Sequence, residues 1–148
     1  MRAFAILMVL GASIALGGAG DFDGETLTSP EAAIHEANAQ APQAVPGRFA
    51  LHVQSAGRQD GNVYLNSELD YRDQRNLTVA IMPAAMGALA RRCGQPPDQF
   101  FLGKNIVVDG AARREKIVFM ANGMPSDKYY YQTHIVVERG DQIRLMGF

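Results

Sequence analysis

The chain has 148 residues, a formal net charge of −1 and one cysteine, Cys93. That length holds a single core and excludes two large domains, and a lone cysteine excludes an internal disulfide. The balanced charge lacks the basic excess of a dedicated phosphate-binding surface.

Residues 1–20 read as an export leader. Arg2 supplies the positive start, an apolar run follows from Ala3 to Leu16, and Gly17, Gly18, Ala19 and Gly20 are the small residues of a cleavage region. The run is shorter than the about 20 apolar residues of a spanning helix, and Asp21, Asp23 and Glu25 follow it without a basic stop-transfer cluster. The expectation is an exported protein, periplasmic or secreted, with no membrane span after cleavage. A retained anchor is the alternative.

Residues 21–46 read as an acidic, Pro/Ala-rich lead-in with five acids, no Lys or Arg, and too few large apolar side chains to fold alone. Within it, Ser29-Pro30-Glu31 has the order of a helix start, with a capping hydroxyl, proline at the first helical position and an acid in the first turn. This predicts a short helix to about Ala39, ended by Pro42 and Pro46.

Residues 47–148 carry 13 basic and 10 acidic side chains and change to strand periodicity. Phe49, Leu51 and Val53 alternate with Ala50, His52 and Gln54; a turn is predicted from Gly57 to Asn62; Val63 and Leu65 then oppose Tyr64 and Asn66. After a polar connection from Asp70 to Asn76, Leu77, Val79 and Ile81 mark a third strand. Pro83 opens a helix through Arg92 that stops at Cys93-Gly94, with arginines in its last turn.

Phe100, Phe101 and Leu102 read as core plugs, and Ile106 to Val108 as a fourth strand. Ile117 to Met120 continue that strand or pair with it after a bend near Gly110, and Asn122 to Asp127 form a hairpin tip. Thr133–Val137 and Ile143–Leu145 are expected to pair as the last strands. The order predicts a mainly β fold, a five-stranded Greek-key barrel of OB type with one helix between the third and fourth strands. A strand-only sandwich is the competing arrangement.

Three segments carry a family resemblance: Gly61-Asn62-Val63-Tyr64-Leu65-Asn66, Phe101 through Gly110, and Asp141-Gln142-Ile143. Across residues 47–146 the chain resembles OB-fold modules of exported bacterial proteins, some of them attached to secreted nucleases or nucleotide-hydrolysing domains. The resemblance implies the barrel, with Gly103-Lys104 giving a tight strand entry, Gly110 a kink, and Gln142-Ile143 seating the last strand against the first. It implies nucleic-acid binding by fold analogy alone. No attached catalytic domain is expected within these residues.

The candidate binding residues are Tyr64, Tyr71, Arg58, Arg72, Arg75, Lys128 and Tyr129. Outward tyrosines beside guanidinium groups suit single-stranded nucleic acid or a small planar ligand. Packing of those rings on the barrel exterior is the alternative, and strand alternation turns Tyr130 away from Tyr129 and Tyr131. No catalytic residue, metal or cofactor is expected: His35, His52 and His134 share no local ligand spacing, although strands bearing His52 and His134 could be adjacent. Glu68, Asp70 and Asp73 with Arg72 and Arg75 read as a salt-bridged, solvated loop. An envelope interaction subunit docked through residues 21–46 and a metal-dependent hydrolase are the other functional readings.

Overall fold

A computed structural model describes residues 21–22 and 25–147. The leader read in residues 1–20 lies outside them. Strands β1 (Asp21–Phe22) and β2 (Glu25–Thr26) pair antiparallel ahead of helix α1 (Pro30–Gln40). There follow β3 (Val45–His52), β4 (Ser55–Gln59), β5 (Asn62–Asn66), β6 (Leu77–Ile81), α2 (Pro83–Cys93) and the single turn α3 (Pro97–Phe100). The chain then makes a long hairpin, β7 (Asn105–Ala121) and β8 (Met124–Val137), and a 3-10 turn at Gly140–Gln142 leads into β9 (Ile143–Leu145).

The helices start and stop for local reasons. The Ser29 hydroxyl accepts from the Ala32 N–H at 3.3 Å, which caps α1 behind Pro30. Helix α2 ends at Gly94, whose φ of 77° needs glycine and whose N–H bonds the Ala90 carbonyl. Arg92 in its last turn donates to the carbonyls of Gly140 at 2.8 Å and Ile143 at 2.5 Å, tying the helix to the chain entering β9.

Seven strands form one mixed sheet in the order β9-β7-β8-β6-β5-β4, with β3 also on β7. Only β6 and β8 run parallel, with Leu77 opposite Thr133 and Ile81 opposite Val137; the other pairs are antiparallel. The predicted turn from Gly57 is strand, since Gly57 pairs with Tyr64. Reversal falls instead on Asp60 and Gly61, at φ 55° and 83°. Ile143–Leu145 pairs with Ile106–Val108 rather than with Thr133–Val137 or the first strand. The Gln142 side chain supports this junction, accepting from the Glu138 and Arg139 N–H groups and donating to the Asp109 carbonyl.

This is an OB-like β arrangement, but it is not the closed five-stranded barrel that the sequence predicts. The edge strands β3 and β4 are consecutive in the chain, joined through Val53 and Gln54, and no ladder connects them. At that bend Val53 bonds the Lys104 and Gly103 backbone while the Gln54 N–H donates to Asn66, so the segment changes partners from one side of the sheet to the other. Helix α1 falls where the sequence predicts the lead-in helix and α2 where it predicts the Pro83 helix; the single turn α3 is the addition.

The core collects the inward phase of each strand, including Phe49, Leu51, Val63, Leu65, Val79, Ile81, Ile106, Val108, Ile135 and Val137, with Leu89 of α2 and Phe101. Residues read as lead-in take part: Leu27 is buried, and Ala33 and Ala37 of α1 belong to the core cluster. Thr28 lies in a parallel bridge with Phe49, its N–H donating to Arg48 O at 2.8 Å and its carbonyl accepting from Ala50 N–H at 3.0 Å. Among the described residues no helix is long and apolar enough to cross a membrane.

Gly110 lies against the Ile135 side chain of β8, two residues before the β7–β8 ladder begins at Ala112. A Cβ there would lie 2.8 Å from Ile135 Cγ2, a methyl on a stiff, fully buried side chain. Gly110→Ala is therefore expected to lower unfolding stability by about 1–3 kcal/mol through overpacking, read as the shift in urea midpoint at constant slope.

Candidate functional site

The outer face of β5, β6 and β8 is the complement of the core. Because Val63 and Leu65, Leu77 and Val79, and Ile135 and Val137 point inward, Tyr64 and Asn66, Thr78, and Gln132 and His134 stand on the other side. This face is concave. Strand β4 with Arg58 flanks one side, the connection from Ser67 to Asn76 leans over another with Tyr71 and Arg72, and the β7–β8 hairpin closes a third with Ile117 to Met120 and Tyr130. The enclosed groove has a volume of about 470 Å³.

The leaning connection is tied by Gln54 Nε2 to the Ser67 carbonyl and by Ser55 Oγ to the Glu68 carbonyl, both at 2.8 Å, and above all by one amide. Asn76 Nδ2 donates to Thr78 Oγ1 at 2.8 Å, to Asn66 Oδ1 at 3.2 Å and to the Tyr71 carbonyl at 3.2 Å, while its Oδ1 accepts from the Glu68 N–H at 3.1 Å. Thr78 Oγ1 donates in turn to Asn66 Oδ1 at 2.9 Å. Asn66, Asn76 and Thr78 are all buried and mutually satisfied, so the loop bearing Tyr71 and Arg72 is fixed to the groove floor.

A second polar row runs up β8 with the two-residue period. His134 Nε2 donates to Gln132 Oε1 at 2.7 Å, and Gln132 Nε2 donates to Tyr130 Oη at 2.6 Å; the amide orientation sets the direction of both bonds. Burial pushes His134 down to about 4, so the ring is neutral at pH 7, and burial also raises the Tyr130 phenol above its ordinary value. The β8 row of the groove wall is thus uncharged. Tyr64 lies with its ring centroid 6.3 Å from that of His134, and Phe119 lies 5.3 Å from Tyr130.

The guanidinium groups at the rim have partners. Arg58 makes a two-pronged pair with Asp98 at 2.9 and 2.8 Å, and Arg72 bonds Asp70 at 3.3 Å with its carbon 5.5 Å from the Tyr71 ring. These contacts hold Asp98 and Asp70 below the usual carboxylate range, through side-chain bonding for Asp98 and first through the Arg72 backbone N–H for Asp70.

Of the seven residues predicted for binding, the structure brings Arg58, Tyr64, Tyr71 and Arg72 together around this groove. Arg75 does not line it and pairs with Asp73 at 2.9 Å in the same connection. Lys128 and Tyr129 lie outside it as well, on the projecting hairpin. It is Tyr130, turned away from Tyr129, that enters the groove together with Phe119, Gln132 and His134. The i, i+2, i+4 spacing of Tyr130, Gln132 and His134 signals a shared face once β8 is seen to begin before Thr133. Phe119 carries no such signal, since a register shift between Val118 and Met120 sets its direction. His52, on β3, bonds Asn105 at 2.9 Å and lies on a strand unpaired with that of His134. Among the described residues no three His, Cys, Asp or Glu side chains are grouped to hold a metal.

Fold and groove together define an OB-like β domain with an aromatic concave face flanked by two acid-paired arginines. No family model and no curated protein matches the sequence. Among solved structures the chain is similar to a putative aspartyl-tRNA synthetase from Leishmania major Friedlin, at 9% identity and a TM-score of 0.44, over 90% of this chain and 22% of that one. It is also similar to the aspartyl tRNA synthetase from Entamoeba histolytica, at 12% identity and a TM-score of 0.42, over 95% of this chain and 25% of that one. The chain spans about a quarter of the length of either.

Two outcomes follow from the polar networks. Asn76→Ala leaves Asn66, Thr78 and the Glu68 N–H short of partners, and is expected to cost about 1–3 kcal/mol of stability and to raise hydrogen exchange across residues 67–76. For His134 the folded value of about 4 lies below the unfolded value of about 6.5, so the unfolded chain takes up the proton first. Stability is therefore complete above about pH 6.5 and falls as the pH drops towards 4, by up to about 3 kcal/mol. His134→Gln is expected to flatten that part of the stability profile measured by urea titration.

Proposed function

We propose that this protein is a non-catalytic binding module that holds bases of single-stranded nucleic acid in the groove between β4, β5, β8 and the hairpin. The supporting observation is that the rings of Tyr64, Tyr71, Phe119, Tyr130 and His134 border one cavity. Aromatic side chains offer π-faces to any base, and the Asn66, Thr78 and Gln132 side chains supply neutral hydrogen-bonding groups between them. Nothing in this set is an activated nucleophile or a paired carboxylate held in a pocket, which suits retention of a ligand rather than its turnover.

The charge arrangement specifies how such binding behaves. Arg58 and Arg72 already face Asp98 and Asp70, so phosphates gain little net positive charge in the groove and stacking carries most of the affinity. The salt dependence is then shallow, about one to two counterions released per bound oligonucleotide. Each stacked ring is worth about 1–3 kcal/mol by truncation.

Fluorescence anisotropy with labelled oligodeoxynucleotides and oligosaccharides tests this reading. Tyr64→Ala and Tyr130→Ala are each expected to weaken oligonucleotide binding at least fivefold, whereas Arg75→Ala leaves it within twofold. Binding of oligosaccharides alone, or oligonucleotide binding indifferent to both tyrosine substitutions, would overturn it.

A further inference from the structure

The β7–β8 hairpin runs past the sheet that supports it. Strand β3 accompanies β7 only to Ala112, and β6 accompanies β8 only from Thr133, so residues 113–132 form a two-stranded ribbon without a third strand. Its turn is Asn122-Gly123, at φ 53° and 76°, the conformation of a tight hairpin. Six of the eleven large apolar side chains exposed among the described residues lie on this ribbon, which makes it the main apolar projection of the molecule.

Its chemistry is layered along its length. At the tip Met120 and Met124 are 62% and 67% exposed, beside Ala121 and Pro125. One level back Val118 is opposite Tyr129; a further two residues back Lys116 is opposite Tyr131, followed by Arg114. Lys116 Nζ lies 4.3 Å above the Tyr129 ring and the Arg114 guanidinium 4.1 Å above that of Tyr131, while the two rings meet edge to face at 5.7 Å. No carboxylate among the described residues pairs with Arg114, Lys116 or Lys128, in contrast to the compensated arginines of the groove. The ribbon carries Arg113, Arg114, Lys116 and Lys128 against Glu115 and Asp127, a net charge of +2.

We propose that the ribbon tip is a docking element for an anionic bilayer surface, with Met120 and Met124 entering the acyl boundary and Arg114 and Lys116 meeting lipid phosphates. The order apolar, tyrosine, cation is the order of environments met on leaving a membrane: hydrocarbon, interface, charged headgroups. The dimensions agree, because about 3.3 Å per residue sets Lys116 about 13 Å behind Met120, the depth of a headgroup layer with the start of the acyl region. Charge favours this occupant over a neutral protein surface, and the apolar tip favours it over a nucleic-acid backbone.

The chain contains no tryptophan, so one introduced indole reports its own surroundings. In the full-length protein Met124→Trp is expected to shift its emission to the blue on vesicles containing phosphatidylglycerol, and to be quenched by lipids brominated along the acyl chain. Leu102→Trp, on a half-exposed side chain distant in sequence, should do neither, and the two proteins share residues 1–20 and whatever these contribute. Met124→Asp, read by vesicle co-sedimentation against the parent chain, and Arg114→Glu with Lys116→Glu, read by the Met124→Trp emission, should each weaken partition at least tenfold. An unchanged Met124→Trp spectrum, equal partition onto uncharged phosphatidylcholine, or a response to oligonucleotide in place of vesicles would overturn the proposal. Met124 does not line the groove, so oligonucleotide affinity of Met124→Asp reports separately on the reading above.

Discussion

Both ends of the Asn76 amide are committed, and one wall of the groove is fixed through them. Its nitrogen bridges β5, β6 and the Tyr71 carbonyl while its oxygen receives the Glu68 N–H, so a ten-residue polar connection becomes a wall. Without that amide, Tyr71 and Arg72 would belong to a solvated excursion between two strands. With it they line the groove together with Tyr64. A buried amide of this kind is costly if left unsatisfied, and the same cost makes the arrangement specific.

Electrostatics divides the surface into two kinds of cation. In and around the groove each arginine has a nearby acid: Arg58 with Asp98, Arg72 with Asp70, Arg75 with Asp73. On the hairpin, Arg114 and Lys116 rest on tyrosine rings, and a stacked cation keeps its charge directed at solvent. A formal net charge of −1 hides this segregation. One face is bordered by rings, the other presents cations stacked on tyrosines.

The alternation at Phe49–Val53, Val63–Leu65 and Leu77–Ile81 was legible because those strands have one dry face and one wet face, which is what a two-residue period records. Helix α2 was legible from Pro83 and Gly94, whose backbone preferences act locally. The ribbon from residue 113 to 132 was legible only in part: Ile117–Met120 read as a continuation of the fourth strand and Asn122-Gly123 as part of a hairpin tip, whereas the strand from Met124 to Gln132 was missed because neither face is buried enough to impose a clear pattern. Closure was not legible either. Periodicity reports which side of a strand is inside and says nothing of its neighbours, so the split of the first strand at Val53-Gln54 and the separate pairing of Ile143–Leu145 came only with the structure. At the groove, the outward phase of Tyr64 followed from its neighbours, whereas choosing Tyr130 over Tyr129 required knowing that β8 continues back from His134.

The Thr28 bridge has a consequence for how the molecule meets its own kind. By occupying the backbone of Arg48 and Ala50, the segment before α1 covers the border of β3 that faces away from β7. Sheets grow between molecules by adding strands to such borders. Here Thr28 of the same chain occupies that margin at Arg48 and Ala50, and clipping the polypeptide after Thr28 would loosen its hold on a border open to self-association.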